Sequence, residues 1–462
     1  MDIYILAKRD IHMCFAYGII RLDTRAEKFE DKRMYILYNI TLFAAVIIIL
    51  PYFLLKIIFT GKYRKSFIQK LGGRQAQILA GLKNGPRVWI HAVSVGEVTA
   101  AAPIVTSLKM KRPEVQIIFS TSTETGQDMA RKFIKAADAF IYFPLDILPV
   151  VSKMIKMAKP DVFVLVETEL WPNFLQACEE RRIKTLMVNG RISPRSYRRY
   201  HLTKFFWKKV LCNLDFAGMI SGVDAERLKD IGMDCAKIKV LGNAKYDGLA
   251  ATVSPALREE IACRFHAREK ERFFVAGSTH EGEEQIIIHV YQELLKRYPD
   301  FKLIIVPRHI ERTNDVLGLL KQANLNDVIT LSDINNGRQR KDERIIIVDV
   351  IGELFKVYSL AAVVYCGGSL VPKGGQNILE AAAWGKMIFY GPSMEDFSAE
   401  KSLLEDAGCG VTIRNDEELL QEIIQSLENP EELERRGERG KAVILANIGA
   451  AARYVDLISK YI

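Results

Sequence analysis

The segment WIHAVSVGEVTAAAPIV, residues 89–105, places one carboxylate where an apolar strand meets a helix. Glu97 directly follows Gly96, and Ser94 lies three residues before Glu97. This is the spacing of a capping box, in which a serine and a glutamate bond to backbone amides of the first helical turn. The position also suits a general base, which needs its oxygens within reach of a substrate hydroxyl. The segment by itself leaves both interpretations open.

Polar clusters also end three further predicted strands in this half of the chain. They are STSTETG (120–126), VETELWPN (166–173) and NGRISPRSYRRY (189–200). Each cluster alone could be ordinary capping or loop chemistry. In parallel α/β sheets, however, ligands bind outside the carboxyl ends of the strands, so four such clusters together indicate one polar site. Besides the first cluster, its candidate residues are Thr123, Glu167, Glu169, Arg191 and Arg195.

Three clusters in the second half suit an anionic, nucleotide-type ligand. AGSTHEGEE (276–284) predicts a turn and a helix start whose amides can cradle a phosphate, although a capping hydroxyl would also explain it. VPRHIER (306–312) offers cations for a phosphate or carboxylate, or for a surface salt bridge. YCGGSLVPKGGQNILEAAAWG (365–385) carries two glycine pairs before a predicted helix that begins near Asn377. The candidate binding residues are Gly277, Ser278, Thr279, Arg308, His309, Gly367, Gly368, Ser369, Lys373, Gly374, Gly375, Asn377 and Glu380.

Several motifs are missing from the sequence. It contains no Asp-x-Asp pair of the kind that holds a divalent metal for nucleotide sugars, no Walker loop and no Gly-x-Ser-x-Gly elbow. The glycine pairs do not follow the Gly-x-Gly-x-x-Gly spacing of a dinucleotide fold. We therefore expect no metal and no bound cofactor. His91, inside an apolar strand, is interpreted as a core histidine rather than a ligand.

The charge balance favours anionic partners. The 462 residues include 65 basic and 56 acidic side chains, which gives a formal charge of +9. Such a surface suits membrane headgroups and phosphorylated lipids. The basic residues are scattered, without zinc-finger spacing or a ribonucleoprotein motif, so we expect no nucleic-acid partner. Seven cysteines without a Cys-x-x-Cys pair argue against a disulfide framework and for a cytosolic location.

Residues 34–55 carry no charged side chain and are long enough to cross a bilayer. No small-residue cleavage site follows, which argues against a cleaved signal peptide. The basic residues that come next suit an anionic cytoplasmic surface. We predict a membrane anchor over residues 34–59 with the rest of the chain cytoplasmic, although Pro51 also allows a shallow monotopic helix. Residues 1–33 are expected to be an extension that an upstream start codon would add.

After the anchor, short β-branched runs alternate with amphipathic stretches, which predicts α/β architecture with parallel sheets. Seven strands are expected between residues 87 and 242, and seven more between residues 272 and 413. The sequence thus predicts a first domain over 60–242, a linker over 243–262 and a second domain over 263–462. Each domain would be Rossmann-like, with its functional residues at strand carboxyl ends.

The motifs HAVSVGE, ETELWPN, GSTHEGEE, VPRHIER, GGSLVPKGGQNILEAAAWG and YGPSMEDF resemble those of the 3-deoxy-D-manno-octulosonic acid (Kdo) transferases of lipopolysaccharide synthesis. They occur in the same order, and the resemblance runs from about Met34 to the C-terminus. One departure is Gln376, where many members have histidine. Glutamine keeps the hydrogen-bonding ability of that histidine but does not titrate near neutral pH as histidine does.

The resemblance implies a GT-B fold, with two Rossmann-like domains facing across a cleft. The domain over 60–242 would bind the acceptor, and the domain over 263–462 would bind the nucleotide sugar. The resemblance further implies a metal-independent, inverting transfer of Kdo from CMP-Kdo to a phosphorylated lipid A precursor at the cytoplasmic face of the inner membrane. Glu97 would be the catalytic base, and Glu167 and Glu169 would orient substrates or the surroundings of Glu97. The expected acceptor-binding residues are Ser94, Gly96, Thr123, Arg191 and Arg195.

Other functions fit parts of this pattern. A GT-B transferase could use a UDP-sugar with a lipid acceptor, in which case UDP rather than CMP would inhibit it. An inert nucleotide- or lipid-binding protein on the same scaffold would have no need of Glu97 and both glycine pairs. A sugar-nucleotide epimerase of this fold would have no need of a membrane anchor.

Overall fold

The computed structural model describes residues 33–48, 64–73, 75–268 and 271–462. These residues form two compact units. The first unit contains the described residues up to Ala244 together with Ala451–Ile462, and the second unit is Lys245–Ala450. Most of the predicted extension (1–32) and the later part of the predicted anchor (49–59) lie outside the described residues.

The first unit is built on a seven-stranded parallel sheet. Its strands are β1 (Arg87–His91), β2 (Gln116–Thr121), β3 (Ala139–Tyr142), β4 (Val162–Val166), β5 (Lys184–Gly190), β6 (Phe216–Met219) and β7 (Ile238–Val240). Their order is β3-β2-β1-β4-β5-β6-β7, the order of a Rossmann-type sheet with one further strand. The topology changes direction at β1 and β4, which is where such sheets bind ligands.

The helices of the first unit pack around this sheet. They are α1 (Arg33–Ile48), α2 (Arg64–Lys70), α3 (Gln75–Ala80), α4 (Val95–Lys111), α5 (Glu124–Phe133), α6 (Leu148–Ala158), α7 (Pro172–Glu180), α8 (Pro194–Leu202), α9 (Lys204–Cys212) and α10 (Gly222–Ile231). Trp89 of β1 is fully buried. Its ring meets Phe174 of α7 edge to face, with centroids 5.1 Å apart, a favourable aromatic geometry.

The second unit contains another seven-stranded parallel sheet. Its strands are β8 (Phe273–Thr279), β9 (Lys302–Pro307), β10 (Val328–Thr330), β11 (Ile345–Ile347), β12 (Ala361–Cys366), β13 (Met387–Tyr390) and β14 (Gly410–Thr412), in the order β10-β11-β9-β8-β12-β13-β14. Its helices are α11 (Lys245–Thr252), α12 (Pro255–Arg264), α13 (Glu283–Arg297), α14 (Thr313–Gln322), α15 (Leu331–Asn335), α16 (Leu354–Val357), α17 (Leu379–Ala383), α18 (Ser398–Asp406), α19 (Asp416–Glu428) and α20 (Pro430–Ala446). All fourteen predicted strands are present, and the α/β expectation is confirmed.

The boundaries between the units differ from the predicted ones. The predicted linker 243–262 contains α11 and most of α12, which belong to the second unit. The last helix, α21 (Ala450–Ser459), returns almost entirely to the first unit. Its Tyr454 hydroxyl donates to the Gly242 carbonyl at 2.8 Å, and Arg453 Nε donates to the Leu241 carbonyl at 2.7 Å. These long-range contacts have no signature in the local sequence.

Helix α1 covers the first part of the predicted anchor and docks on the first unit through polar side chains. The Tyr38 hydroxyl donates to Asp146 at 2.9 Å, and Asn39 and Asn173 exchange amide hydrogen bonds at 3.0 and 2.8 Å. Asp146 also accepts from the backbone amides of Asn173 and Phe174 at the start of α7. The other face of α1 is apolar and exposed, with Phe43 67% exposed.

Among the described residues, one segment reaches the length and apolarity of a membrane span, and it is Pro430–Ser459 rather than α1. Residues 447–449 divide this segment into α20 and α21. Gly440 and Ile444 of α20 and Tyr454 of α21 are buried. Both helices contribute buried side chains to their own units. The apolar character of the segment comes from its later part, because α20 is mostly charged up to Lys441.

Candidate active site

The carboxyl ends of β1, β2 and β4 bring the first group of candidate residues together. Strand β1 pairs with β2 on one side and with β4 on the other, with His91 opposite both Ser120 and Leu165. The turn that carries Glu97 follows β1, Thr123 follows β2, and Glu167 and Glu169 follow β4. The predicted convergence of these segments at one sheet edge is therefore present.

Glu97 is a buried carboxylate with two internal hydrogen-bond donors. The backbone N–H of Val93 donates to Oε2 at 2.7 Å, and the Ser94 hydroxyl donates to Oε1 at 2.9 Å. Ser94 is the N-cap of α4, but its side chain accepts no hydrogen bond from the first helical turn. The capping box that the spacing suggested is thus not formed. Ser94 orients the Glu97 carboxylate instead, and each carboxylate oxygen keeps a second lone pair.

Burial raises the pKa of Glu97 to about 8, and the negative charge of Glu167 adds to this shift. The two hydrogen bonds from Val93 and Ser94 oppose the shift, while the charge of Glu169 reinforces it. Burial and the charge of Glu167 also raise the pKa of Glu169. Loss of water and like charge both disfavour ionised carboxylates. The cluster therefore contains a carboxyl that titrates close to neutral pH, as a general base requires.

The loop after β4 is held in a strained conformation. Glu167 has φ 59°, a left-handed conformation that non-glycine residues rarely adopt and that clusters at functional sites. Its amide donates to the Val188 carbonyl of β5 at 3.0 Å. The Thr168 hydroxyl donates to the Arg191 carbonyl, so the loops after β4 and β5 support each other. Burial and the charge of Glu169 raise the pKa of Tyr200, in the same group, to about 12.

The remaining candidate residues of the first unit differ in burial and in hydrogen bonding. Thr123 is the N-cap of α5, and its hydroxyl accepts from the Gly126 amide and donates to the Val93 carbonyl. Gly96 has open space beside it, since a Cβ there would lie 4.0 Å from Ser94 Oγ. Arg191 is half-buried and Arg195 is exposed at the start of α8. Their role in binding an acceptor stays a prediction.

His91 has the core position expected of it. It is fully buried, and its ring stacks on Phe143 with centroids 3.8 Å apart. Its Nδ1 lies 3.0 Å from the Ser120 hydroxyl oxygen. Burial lowers the pKa of His91 to about 3, so the ring is neutral at physiological pH.

In the second unit, a buried carboxylate that sequence reasoning left as an ordinary helix residue organises the candidate site. Glu283 begins α13 and accepts five hydrogen bonds, from the Tyr365 hydroxyl and from the backbone amides of His280, Gly368, Ser369 and Leu370, at 2.7–3.0 Å. It therefore fixes the loop that follows β12 against the end of β8. The acidic start of α13 was visible in the sequence, but four of the five donors to Glu283 lie 82–87 residues further along the chain.

The small residues of this loop are required by close packing. A Cβ at Gly367 would lie 2.4 Å from the Ser278 carbonyl oxygen, which no side chain can tolerate. Ser278 itself has φ 54° and sits at an irregularity in the pairing of β8 with β9. The Ser369 hydroxyl is buried, donates to the Cys366 carbonyl and accepts from the Gly391 amide. Ser369 thus has an internal structural role, and a ligand would contact this segment through its backbone.

Basic side chains converge at this edge. Arg308 and His309, after β9, and Lys373, after the first glycine pair, are exposed. The rings of His309 and His280 meet edge to face, with centroids 5.8 Å apart. Burial lowers the pKa of His280, and the charges of His309, Lys373 and Arg308 lower it further. The Nε2 atom of His280 is buried without a partner among the described residues. Sequence reasoning did not select His280.

The predicted helix at Asn377 is shorter than expected. Helix α17 spans Leu379–Ala383, and Asn377 precedes it. The Asn377 side chain accepts from the Leu379 amide and donates to Glu380 at 3.0 Å. Burial raises the pKa of Glu380, while Asn377 and the charge of Arg308 oppose that shift. Gly374 and Gly375 have φ 83° and 80°, a conformation that favours glycine. Binding of a donor by these residues stays a prediction.

Comparisons with known proteins agree with this architecture. A family model described as 3-Deoxy-D-manno-octulosonic-acid transferase (kdotransferase) matches residues 64–248. A 3-deoxy-D-manno-octulosonic acid transferase of Haemophilus influenzae is 31% identical over 376 residues, which cover 81% of this chain and 87% of that protein. The chain belongs to the Kdo transferase family. It is therefore a glycosyltransferase, and the predicted resemblance is confirmed.

Two further relatives extend this comparison. A bifunctional glycosyltransferase/methyltransferase of Fusobacterium nucleatum is 35% identical over 370 residues, but this Kdo transferase chain spans 56% of that longer protein and aligns over 79% of its own length. The crystal structure of a UDP-GlcNAc 2-epimerase from Neisseria meningitidis is 14% identical, covers 81% of this chain and 100% of its own, and has a TM-score of 0.57. The latter likeness supports the GT-B fold alone.

Glu283→Gln should destabilise the second unit. The glutamine NH2 group would replace one carboxylate oxygen that now accepts hydrogen bonds, and it would face backbone N–H groups that are themselves donors. We expect a loss of about 3 kcal/mol or more in the free energy of unfolding. Thermal unfolding measures this loss, and faster amide hydrogen exchange at residues 366–371 would localise it. Glu281→Gln is the matched control, since Glu281 is 85% exposed. Equal stability of the two variants would contradict the structural role of Glu283.

Proposed function

We propose that this Kdo transferase moves Kdo from CMP-Kdo to a phosphorylated lipid A precursor, without a metal ion and with inversion at the anomeric carbon. The second unit would bind the donor, and the first unit would bind the acceptor at the cytoplasmic face of the inner membrane. The observation that carries the proposal is the buried Glu97 carboxylate, with a pKa near 8, beside Glu167 and Glu169 at the switch point of the sheet.

Glu97 would act as the general base. Its ionised form accepts the proton of the acceptor hydroxyl while that oxygen attacks the anomeric carbon and CMP leaves from the opposite face. A base with a pKa near the working pH combines sufficient ionisation with sufficient proton affinity. Val93 and Ser94 each hold one oxygen, which fixes the direction of the free lone pairs.

The basic edge of the second unit supports the donor assignment. The phosphate of a departing nucleotide gains negative charge, which fixed cations and backbone amides stabilise. Arg308, His309 and Lys373 supply the cations, and the unpartnered Nε2 of His280 can donate a hydrogen bond to the same anion. Glu380, half-buried beside Asn377, would accept from ribose hydroxyls.

The surface of the first unit supports membrane association. Helix α1 exposes apolar side chains, and Phe206 of α9 packs on Tyr38 of α1 with ring centroids 5.6 Å apart. Beside that contact, Leu202 is 81% exposed and Phe205 is 72% exposed. Exposed basic side chains lie on the two helices that carry Leu202 and Phe205. They are Arg195, Arg198 and Arg199 on α8 and Lys208 on α9. Apolar and basic side chains together suit an anionic bilayer surface.

Donor competition separates this proposal from its nearest rival. CMP should inhibit a CMP-Kdo-dependent transfer, whereas UDP should inhibit transfer from a UDP-sugar. Mass spectrometry of the product formed from CMP-Kdo and a lipid A precursor identifies the transferred sugar and the number of residues added. An inert binding protein would yield no product in this assay.

Glu97→Gln should reduce the rate of Kdo transfer by roughly 10²–10⁴-fold, which is the usual contribution of a general base. The affinity for CMP should stay unchanged, because Glu97 belongs to the first unit and the donor residues to the second. Initial rates and CMP binding on the purified variant measure both effects. Glu114→Gln, an exposed glutamate just before β2, is the control. Substantial remaining turnover of Glu97→Gln would refute the assignment.

The pH dependence of transfer should report the ionisation of Glu97. Because the base acts when deprotonated, the rate should fall about tenfold per pH unit below a midpoint near 8 and level off above it. Glu167→Gln should move this midpoint to lower pH, since it removes a negative charge that raises the pKa of Glu97. Rate–pH profiles of both proteins test this. A rate that is constant between pH 6 and 9 would be incompatible with it.

The double variant Leu202→Asp/Phe205→Asp should slow transfer to an acceptor embedded in anionic vesicles. We expect a reduction of several-fold, because two buried apolar contacts with lipid would be replaced by charge repulsion. Transfer to a dispersed short-chain acceptor should be unaffected. Met110→Asp, at an apolar residue that is 78% exposed on α4, is the control. Equal rates of all three proteins on vesicles would exclude membrane contact by this surface.

A further inference from the structure

A second candidate ligand site lies at the other end of the sheet in the second unit. A cavity of about 680 Å³ opens where β8, β12 and β13 begin, next to Phe273, Ala361 and Met387. The candidate donor residues follow the carboxyl end of β8, and the seven residues of that strand span roughly 20 Å. The cavity is therefore separate from the proposed donor site.

Three polar groups in this cavity lack partners. The Ser359 hydroxyl is buried, with its residue 1% exposed, and forms no hydrogen bond with any described residue. Lys386 is half-buried, and its ammonium group makes no hydrogen bond or ion pair in the described part of the chain. Arg258 of α12 also makes no side-chain hydrogen bond or ion pair among the described residues, but it is exposed at the rim of the cavity. Unsatisfied buried polar groups are rare in native proteins, and each calls for an explanation.

The charges around Lys386 favour an anionic occupant. Burial lowers the pKa of Lys386 to about 8, and the charge of Arg258 lowers it further, against smaller opposing effects of Glu434 and Glu438. Glu438 is partly neutralised by Lys441, 3.5 Å away. Lys386 and Arg258 repel each other and neither forms an ion pair with a described carboxylate, so a bound anion would relieve that repulsion.

The other acidic side chains of the lining are Glu271 and Glu259. Glu271 is paired with Arg340 at 2.8 Å. Glu259 of α12 and Glu434 of α20 remain as carboxylates without an ion pair among the described residues. Apolar surface from Leu360 and Trp384 completes the lining. A ligand with one anionic group and a compact apolar body fits this combination, and the volume lies within the usual range of small-molecule sites.

We propose that this cavity binds a small organic anion, with its phosphate or carboxylate group between Lys386, Arg258 and the Ser359 hydroxyl and its apolar body against Leu360 and Trp384. Charge-assisted hydrogen bonds from a lysine and an arginine are among the strongest that proteins form with such groups. The site is additional to the proposed transfer reaction and does not depend on it.

Calorimetric titration of the full chain with phenyl phosphate tests the proposal, with benzyl alcohol as the uncharged probe. Phenyl phosphate should bind, and Lys386→Met should weaken binding about tenfold or more, because one charged hydrogen-bond donor is lost. Arg308→Leu, in the proposed donor site, should leave this binding in place. The matched control Lys401→Met changes a lysine of α18 outside the cavity and should have no effect.

The opposite outcomes would overturn the proposal. These are no binding of phenyl phosphate, binding that Arg308→Leu abolishes and Lys386→Met leaves unchanged, and equal binding of benzyl alcohol. If Lys386→Met does not fold, acetic anhydride labelling of the unmodified protein at pH 8 provides the second measurement. Phenyl phosphate should then slow acetylation of Lys386 several-fold and leave Lys401 unaffected, and equal acetylation with and without the probe would refute the site.

Discussion

Burial of a carboxylate is unfavourable unless hydrogen-bond donors replace the water that it loses, and the two units compensate for it to different extents at corresponding positions. Glu97 follows the first strand of the first unit, and Glu283 follows the first strand of the second. Glu283 has five donors, whereas Glu97 has two donors and two neighbouring carboxylates. The first carboxylate is thus poised to accept a proton, and the second is committed to holding a loop.

The two carboxylates therefore have different roles: Glu97 takes part in the proposed reaction, and Glu283 stabilises a loop of the second unit. The loop after β12 must pass so close to β8 that Gly367 has no room for a side chain, and the Glu283 carboxylate keeps its amides in place. In the proposed function, the basic residues at the same edge would contact the donor phosphate from a backbone that Glu283 holds in place. In the first unit, the strained Glu167 and the half-buried Glu169 raise the proton affinity of Glu97 instead of neutralising it. In the proposed function, this cluster of like charges prepares Glu97 to act as a base.

The polar contacts of α1 connect the proposed membrane contact to the site of chemistry. Asp146 binds Tyr38 of α1 and also the amides at the start of α7, directly after the segment that carries Glu167 and Glu169. An apolar helix held by buried polar groups has a defined orientation on its domain. In the proposed function, this orientation would set how the acceptor edge of the first unit meets the lipid surface.

The sequence by itself determined the fourteen strands, the α/β class and the segments that meet at the carboxyl edge of each sheet, because hydrophobic periodicity and parallel pairing are local or topological properties. The GT-B fold followed from the resemblance to the Kdo transferases. The sequence also selected Glu97, but it left the capping and catalytic interpretations open. Only the tertiary structure showed that the Ser94 hydroxyl donates to Glu97 and does not cap α4, because this hydrogen bond depends on the orientation of the Glu97 carboxylate. The role of Glu283, the unpartnered His280 and the return of α21 to the first unit depend on contacts between residues far apart in the chain. Such contacts leave no local pattern, and for that reason they could not be read from the sequence.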